Sequence, residues 1–334
     1  MRFLCIVLLI FSLADCPLFA QSTTATNRIP TPRFGSIRHI DSFPSKYVQS
    51  RPVDIWLPEG YDSSANVSSA NTSSTNAPRK RYPVLYMHDG QMLFDSAITW
   101  NKQEWCADET LSRLQREGKI RECIIVGVWN NGRMRAFEYF PETPFRSLPQ
   151  PIQDSMLNAS PTKNIHSDAY LKFLTQEVKP FVDSSFATLP DVNNTFVAGS
   201  SMGGLISMYA VSEYPSVFGG AACISTHWVG SRNLAHAEAC SRAFQRYMIK
   251  KFPTPKQGGI ARIIYFDYGT ATLDSLYKPH QIKVDKIMRK KGYTKKQWQT
   301  REFIGEDHSE RAWSKRFEIP LMFLLGKNSS EKVR

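Results

Sequence analysis

"VAGSSMGGL", residues 197–205, places a serine between glycines where an apolar run ends and a helical one begins. The residues before it, "TFVAG" (195–199), have the length and composition of a short buried strand. Those after it, "MGGLISMYAVSEY" (202–214), follow a helical pattern that starts directly after the serine. A strand–Ser–helix junction of this kind forms a nucleophile elbow. The sharp turn demands small residues at Gly199 and Gly203, and it lifts the Ser201 hydroxyl above the sheet at a helix N-terminus. It also turns the N–H of Met202 toward a developing oxyanion. The same residues fit a plain strand-to-helix turn with Ser201 as a cap. Three fixed positions are a weak pattern, so the partner residues decide.

Strand-like runs lie at 35–42, 52–58, 82–88, 123–129, 195–199, 220–226, 262–268 and 298–304. Helical patterns separate the later ones, at about 103–117, 167–183, 202–214, 233–249, 276–291 and 309–318. Strands alternating with helices predict a mostly parallel sheet covered on both faces. The first two strands are joined without a helix, so that edge is expected to be antiparallel. The predicted class is α/β with the strand plan of an α/β-hydrolase: about eight strands and no separate cap domain.

A serine nucleophile needs a base and an orienting acid, which in this strand plan follow in the order Ser, acid, His. Of seven histidines, only His227, His236, His280 and His308 follow the serine. His236 and His280 fall in or beside helices, and His227 comes too early for an acid to precede it. His308, in "FIGEDHSERAW" after the last strand, is the expected base. The acid belongs in the loop beyond the strand at 262–268, which leaves Asp267 and Asp274. Asp274 lies beyond Gly269 and can fold back toward the imidazole, so it is preferred. Asp267, at the strand end, is expected to brace the loop. The second oxyanion donor is expected after the third strand, in "LYMHDGQMLFD" (85–95), as the N–H of Gln91. His88 and Asp89 in that loop are expected to hold it and shape the pocket floor.

The chain has 334 residues, 42% of them hydrophobic, which supports a real core. Arg2 followed by the apolar run Phe3–Leu13 and "LFAQS" predicts a signal peptide over 1–20, cleaved after Ala20, and a secreted or periplasmic protein. The apolar run is too short to span a membrane. "LADC" (13–16) is a weaker, lipoprotein-like alternative. Residues 21–334 are expected to form one domain, with "DSSANVSSANTSSTNAPRKR" (62–81) as a solvated low-complexity loop. The net charge is +12. Its densest cluster, Lys283 to Lys296, alternates with Val284, Ile287 and Met288 at helical spacing, the pattern of a surface helix rather than a nucleic-acid site. Cys106, Cys123, Cys223 and Cys240 have no metal or redox spacing. N-x-S/T sequons begin at Asn66, Asn71, Asn158, Asn193 and Asn328.

The span 227–260 has room for one packing helix but not for a lid. The stretch 131–166, with five prolines, is expected to be irregular and to follow a strand end, where ligands gather in open parallel sheets. Its Arg133, Arg135, Glu138 and Tyr139 are candidates for the alcohol side of a cleft. Trp228 is the candidate for an acyl-side or aromatic wall.

"LYMHDGQMLFD", "VGVWNNGRMRAFEYFP", "VAGSSMGGLISMYAVSEYPSVFGGAACISTHW", "YFDYGTATLDSLY" and "GEDHSERAWSKRF" resemble an esterase family. It includes esterase D, enterochelin esterases, feruloyl and acetylxylan esterases and the mycolyltransferases. The resemblance covers roughly residues 50–325. It implies a triad of Ser201, Asp274 and His308, with Gln91 and Met202 as oxyanion donors. One departure is visible: many relatives carry the acid three residues after the glycine of a G-T-x-D motif, where this chain has Thr272. The expected function is hydrolysis of carboxylic esters through an acyl-enzyme, with short or aromatic acyl groups on a carbohydrate or another bulky polar alcohol. A siderophore (enterochelin-type) esterase, an acyltransferase and a non-catalytic binding module on the same scaffold are the alternatives. No metal, nucleotide or flavin motif is present, so no cofactor is expected, and the expected partner is a small-molecule or glycan ester.

Overall fold

The computed structural model describes residues 29–61 and 80–327. The predicted signal sequence, "LADC", the sequons at Asn66, Asn71 and Asn328, and all but the last two residues of the low-complexity stretch lie outside that range. Eight strands form one sheet: β1 (Ser36–Phe43), β2 (Arg51–Leu57), β3 (Val84–His88), β4 (Ile124–Val128), β5 (Thr195–Ser200), β6 (Gly220–Ile224), β7 (Ile263–Gly269) and β8 (Trp298–Phe303). The order across the sheet is β1-β2-β4-β3-β5-β6-β7-β8. As expected, β1 and β2 are antiparallel; the β2–β4 pair is antiparallel too, and every other pair is parallel. The strands β3 to β6 are buried along their whole length. They therefore read as unbroken apolar runs, as strands covered on both faces do.

The helices are α1 (Ala107–Arg116), α2 (Arg135–Tyr139), α3 (Glu142–Arg146), α4 (Gln150–Asn158), α5 (Ser167–Lys172), α6 (Lys179–Ser185), α7 (Met202–Glu213), α8 (Ala237–Lys251), α9 (Lys278–Lys290), α10 (Glu310–Arg316) and α11 (Glu318–Leu325). The two-residue period of the strands divides the core in two. Leu85, Met87, Ile125, Phe196 and Tyr265 pack with Leu111 and Leu114 of α1, Trp313 of α10 and Leu321 of α11. Val84, Tyr86, Val126, Val197 and Phe266 point the other way, toward Leu171 of α5, Ile206 of α7, Phe244 of α8 and Val284 of α9. Helix α7 runs through the interior, with every residue from Met202 to Ser212 buried. That explains why its sequence is apolar all round. On α9, Val284, Ile287 and Met288 are buried while Lys286, Arg289 and Lys290 are exposed, the surface helix that the charge pattern predicts.

The stretch 131–166 departs from expectation. It is helical, with a 3-10 turn (Gly132–Met134) leading into α2, α3 and α4. Its prolines do not forbid this, because Pro141 and Pro149 sit just before α3 and α4 and Pro151 lies in the first turn of α4. There a missing N–H costs nothing. The helix expected at 167–183 contains a π-helical stretch, Phe173–Val178, between α5 and α6. No helix among the described residues is long and apolar enough to cross a membrane.

Candidate active site

The parallel registers bring the carboxyl ends of six strands to one edge, where ligands bind in sheets of this kind. Ser201 lies between β5 and α7 with φ 57° and ψ −120°, a backbone conformation a non-glycine residue rarely adopts. The strain is maintained on both sides. The Ser201 N–H donates to the Ile224 carbonyl at 2.9 Å, and its own carbonyl accepts the N–H of Leu205 and of His227, both at 3.1 Å. A Cβ on Gly199 would come within 2.8 Å of the Gly203 backbone, so the first glycine of the pattern is required for the strand to meet the helix.

His308 and Asp274 are brought together by the loops after β8 and β7. Nδ1 of His308 lies 2.5 Å from Oδ1 of Asp274. The other oxygen, Oδ2, accepts the Gly269 N–H at 2.6 Å and the Ser225 hydroxyl at 2.5 Å. Asp274 is fully buried, in a 3-10 turn spanning Thr272–Leu276. That turn folds the carboxylate back over the strand end. The departure at Thr272 now has a structural role: its hydroxyl oxygen accepts the His308 N–H at 2.9 Å and steadies the histidine loop. Gly269 packs so closely on Glu306 that a Cβ there would stand 2.2 Å from the Glu306 carbonyl oxygen. Glycine lets the acid loop and the histidine loop touch.

Asp267 is also fully buried but points elsewhere. Arg316 forks it, Nε to Oδ2 at 3.2 Å and Nη2 to Oδ1 at 3.1 Å, while the Ser225 N–H and the Tyr265 hydroxyl also donate to it. Burial raises the Asp267 pKa, against the pull of the Arg316 charge. The structure therefore gives Asp267 the bracing position and Asp274 the contact with the imidazole. Sequence reading passed over Ser225, Arg316 and Trp313, whose indole N–H donates to the Ser225 hydroxyl at 3.0 Å. No spacing pattern marks them, since they act only through contacts made in the folded chain.

Tyr277 is a further group missed from sequence. Its hydroxyl is 2.8 Å from Nδ1 of His227 and within hydrogen-bonding reach of Ser201. Burial holds the phenol well above its usual pKa, with the Asp274 charge adding to it. Burial also pushes the His227 imidazole down to about 3, with the nearby Arg135 and Arg232 charges adding to it. Both groups are neutral across the working range.

Facing the elbow is the loop after β3. Asp89 is left-handed (φ 59°) and starts the 3-10 turn Gly90–Met92. A Cβ on Gly90 would stand 2.5 Å from the Gly127 backbone, so the loop lies flat against β4. The N–H groups of Gln91 and Met202 each fall in a first turn, where no carbonyl of that turn or helix can accept them. Arg135 forks Asp89 at 2.6 and 2.7 Å, and Asn130 donates to it at 2.8 Å. Burial works to raise the Asp89 pKa, but the Arg135 charge and these bonds outweigh it and hold the carboxyl below its usual range. His88 is buried beneath, its Nδ1 2.7 Å from the Tyr170 hydroxyl.

The candidate cleft residues divide. Arg133 is exposed, and Arg135 is half-buried on Asp89. Glu138 is turned inward, forked by the buried Arg51 at 2.6 and 2.7 Å. It borders a cavity of about 340 Å³, shared with Gln49, Asn131, Met134 and His166, that includes none of the groups around Ser201. Tyr139 is fully buried, and its hydroxyl accepts the Asp89 N–H at 3.3 Å. Trp228 is only 1% exposed, donates to Gln281 and stacks near Phe266, so it is a core residue and not a cleft wall. Glu138, Tyr139 and Trp228 thus depart from expectation for one reason. A side chain beside a strand end faces either the cleft or the core, and only packing decides which.

A family model described as "Putative esterase" matches residues 48–319. The uncharacterized protein YbbA of Bacillus subtilis is 25% identical over 256 residues, 75% of this chain and 88% of that protein. Among solved structures, the ferulic acid esterase AmCE1/Fae1A of Anaeromyces mucronatus superposes with a TM-score of 0.58 at 18% identity, over 86% of this chain and 90% of its own. The enterobactin esterase FES of Shigella flexneri also gives 0.58, at 16% identity, over 88% of this chain and 60% of its own.

Proposed function

We propose that this chain, which belongs to the esterase family whose model it matches, is a serine carboxylesterase acting through Ser201, Asp274 and His308. The observation that carries the proposal is the 2.5 Å contact of His308 Nδ1 with Asp274, on the sheet edge where Ser201 is held in its strained turn. In this reading His308 takes the Ser201 proton as the hydroxyl attacks the ester carbonyl. Asp274 fixes the imidazole tautomer and stabilises the imidazolium. The N–H groups of Met202 and Gln91 receive the oxyanion. His308 then protonates the leaving alcohol, and water releases the acyl group by the same steps in reverse.

The substrate reading is a short or aromatic acyl group on a carbohydrate or another bulky polar alcohol. The ferulic acid esterase likeness supports it, as does the span between β6 and β7, which is used by α8 and short turns instead of a lid. The enterobactin esterase likeness supports a catecholate ester as the second reading. We assign the chain to the secreted or periplasmic space on its N-terminal sequence. A fluorophosphonate probe followed by peptide mass analysis tests the nucleophile. A panel of aryl, acetyl-sugar, feruloyl and catecholate esters, with and without alcohol acceptors, tests the substrate class. Absence of label on Ser201 overturns the mechanism, and activity only toward catecholate esters overturns the carbohydrate reading.

A further inference from the structure

The cavity of about 340 Å³ beside Glu138 has no part in the proposed mechanism, yet it is built at the same edge of the sheet. Strand β2 begins there and β4 ends there, since Val53 pairs with Val128. The connection between β1 and β2 supplies Lys46, Tyr47 and Gln49, and the segment after β4 supplies Asn131, Met134 and Glu138. The first wall is held in place by side chains. The Ser45 hydroxyl accepts the N–H groups of Tyr47 and Val48 at 2.9 and 3.2 Å, and the Glu177 carboxylate accepts that of Lys46 at 2.9 Å. The Tyr47 hydroxyl donates to Gln176 at 2.7 Å, which anchors the ring by its tip while the residue stays exposed.

The second wall is a partition between this cavity and the oxyanion loop. Three pairs of chain neighbours divide across it. Asn131, Met134 and Glu138 line the cavity, while Asn130, Arg135 and Tyr139 hydrogen-bond to Asp89 at 2.8, 2.6 and 3.3 Å. Met134 and Glu138 are four residues apart, as are Arg135 and Tyr139, so each pair occupies one face of the helical segment and the two faces adjoin. Such a segment is about 10–12 Å across with its side chains, which bounds the distance from the cavity to the oxyanion loop. The turn that leads into it is open to solvent, with Gly132 and Arg133 exposed.

The lining selects the ligand. Gln49 Oε1 accepts the Asn131 amide N–H at 2.6 Å, which leaves the Gln49 amide nitrogen and the Asn131 carbonyl oxygen without a protein partner among the described residues. A donor and an acceptor therefore stand side by side, with the Tyr47 ring on the same wall as Gln49. A sugar hydroxyl is both donor and acceptor, and the C–H face of a sugar ring packs on an aromatic side chain. Among the described residues that line the cavity, Lys46 is the only lysine or arginine and Glu138, matched by Arg51, the only carboxylate. That favours neither a phosphate nor a metal ion. Val48 and Met134 offer too little apolar area for a long acyl chain. The volume is at the small end of the roughly 300–1,000 Å³ range of ligand cavities, which suits a single ring.

We propose that this cavity is a carbohydrate subsite, which holds a neutral sugar unit of the alcohol while the ester lies at Ser201. Tyr47 takes the ring face, and Gln49 and Asn131 take its hydroxyls. The alcohol crosses the solvent-open turn at Gly132 and Arg133 to reach both places. The inference rests on the carbohydrate-ester reading above and adds where the alcohol is recognised.

The test compares two esters on the full chain: p-nitrophenyl acetate, which has no sugar, and acetylated xylotetraose. Tyr47→Ala and Gln49→Ala should each raise KM for the sugar ester about five- to tenfold, the worth of one contact. Their kcat/KM toward p-nitrophenyl acetate should stay within about twofold of the unaltered chain. Both side chains are exposed, so the variants should fold. Tyr47→Phe keeps the ring and should match the unaltered chain on both esters. Unesterified xylotetraose, cellotetraose and mannotetraose, titrated by calorimetry into Ser201→Ala, read the subsite without catalysis. At least one should bind, and adding Tyr47→Ala should weaken it by about the same five- to tenfold. If no sugar ester is hydrolysed, the catalytic reading has failed and the titration alone decides the subsite. No binding of any of the three, binding insensitive to Tyr47→Ala, or equal losses on both esters would overturn the inference.

Discussion

Ser225 and Arg316 lie 2.8 Å apart, Oγ to Nη2, at the centre of a buried network that holds two aspartates in different orientations. The Ser225 hydroxyl points to Asp274 and its N–H to Asp267, while the Arg316 fork is spent on Asp267. Asp274→Asn should therefore lose on the order of 10⁴ in kcat, as expected when the imidazole tautomer is no longer fixed. Asp267→Asn should keep kcat within about tenfold. It should instead lose about 3–5 kcal/mol of stability, because it removes the forked partner of a buried arginine and leaves it only the longer 3.8 Å pairing with Asp274. Esterase assays and urea unfolding of both variants at one pH check this. The reverse order would move the acid to Asp267.

Ser201 combines a reactive position with a strained one. Ser201→Ala should reduce turnover by about 10⁴-fold or more while folding normally. Ser201→Gly should be equally inactive but more stable than Ser201→Ala, by about 1 kcal/mol, since glycine tolerates the φ of 57° that alanine does not. Thermal midpoints of the two purified variants settle it; equal midpoints would show that the turn carries no strain.

The Tyr277 hydroxyl stands between Ser201 and His227. Tyr277→Phe keeps the ring and removes the hydroxyl. Losing a bond worth about 1–3 kcal/mol should cost roughly 5- to 150-fold in kcat. The rate of Ser201 labelling by a fluorophosphonate should fall in parallel. An unchanged rate would assign the hydroxyl to packing alone.

His88 supplies a pH signature in stability. Burial pushes its pKa down to about 3 from an ordinary 6.5. Below pH 6.5 the unfolded chain binds a proton there that the native chain does not. This site's contribution is therefore complete above about 6.5 and is lost as pH falls toward 3. Its share of the slope is about 1.4 kcal/mol per pH unit in that window. His88→Gln should be less stable at pH 7.5, yet lose stability less steeply between pH 6 and 4.5, by about that amount. Urea unfolding at four pH values measures the slopes, and parallel slopes would contradict the assignment.

The site has no lid between β6 and β7, only α8 and short turns. Esters of long acyl chains should be poor substrates, and rates should not jump when substrate exceeds its solubility. Hydrolysis measured from acetyl to palmitoyl esters, below and above the solubility limit, checks this. A preference for long chains would sink the open-cleft reading.

Much of this protein is legible along the chain. The apolar runs at β3 to β6 and the elbow glycines each obey a local rule: a strand covered on both faces is apolar throughout, and a strand that turns sharply into a helix needs small residues. His308 could be chosen because topology admits few histidines after Ser201. What the sequence left open were questions of direction and contact. Asp267 and Asp274 are both buried acids near one strand end, and only the Thr272–Leu276 turn and the Arg316 fork separate their roles. Trp228 and Glu138 turned inward because Gln281 and Arg51, 53 and 87 residues away in sequence, meet them in space. Ser225 and Tyr277 likewise have no local signature. Periodicity reports which face of an element is buried. The partner waiting on that face is set by packing between segments far apart in the chain, and tertiary structure alone determines it.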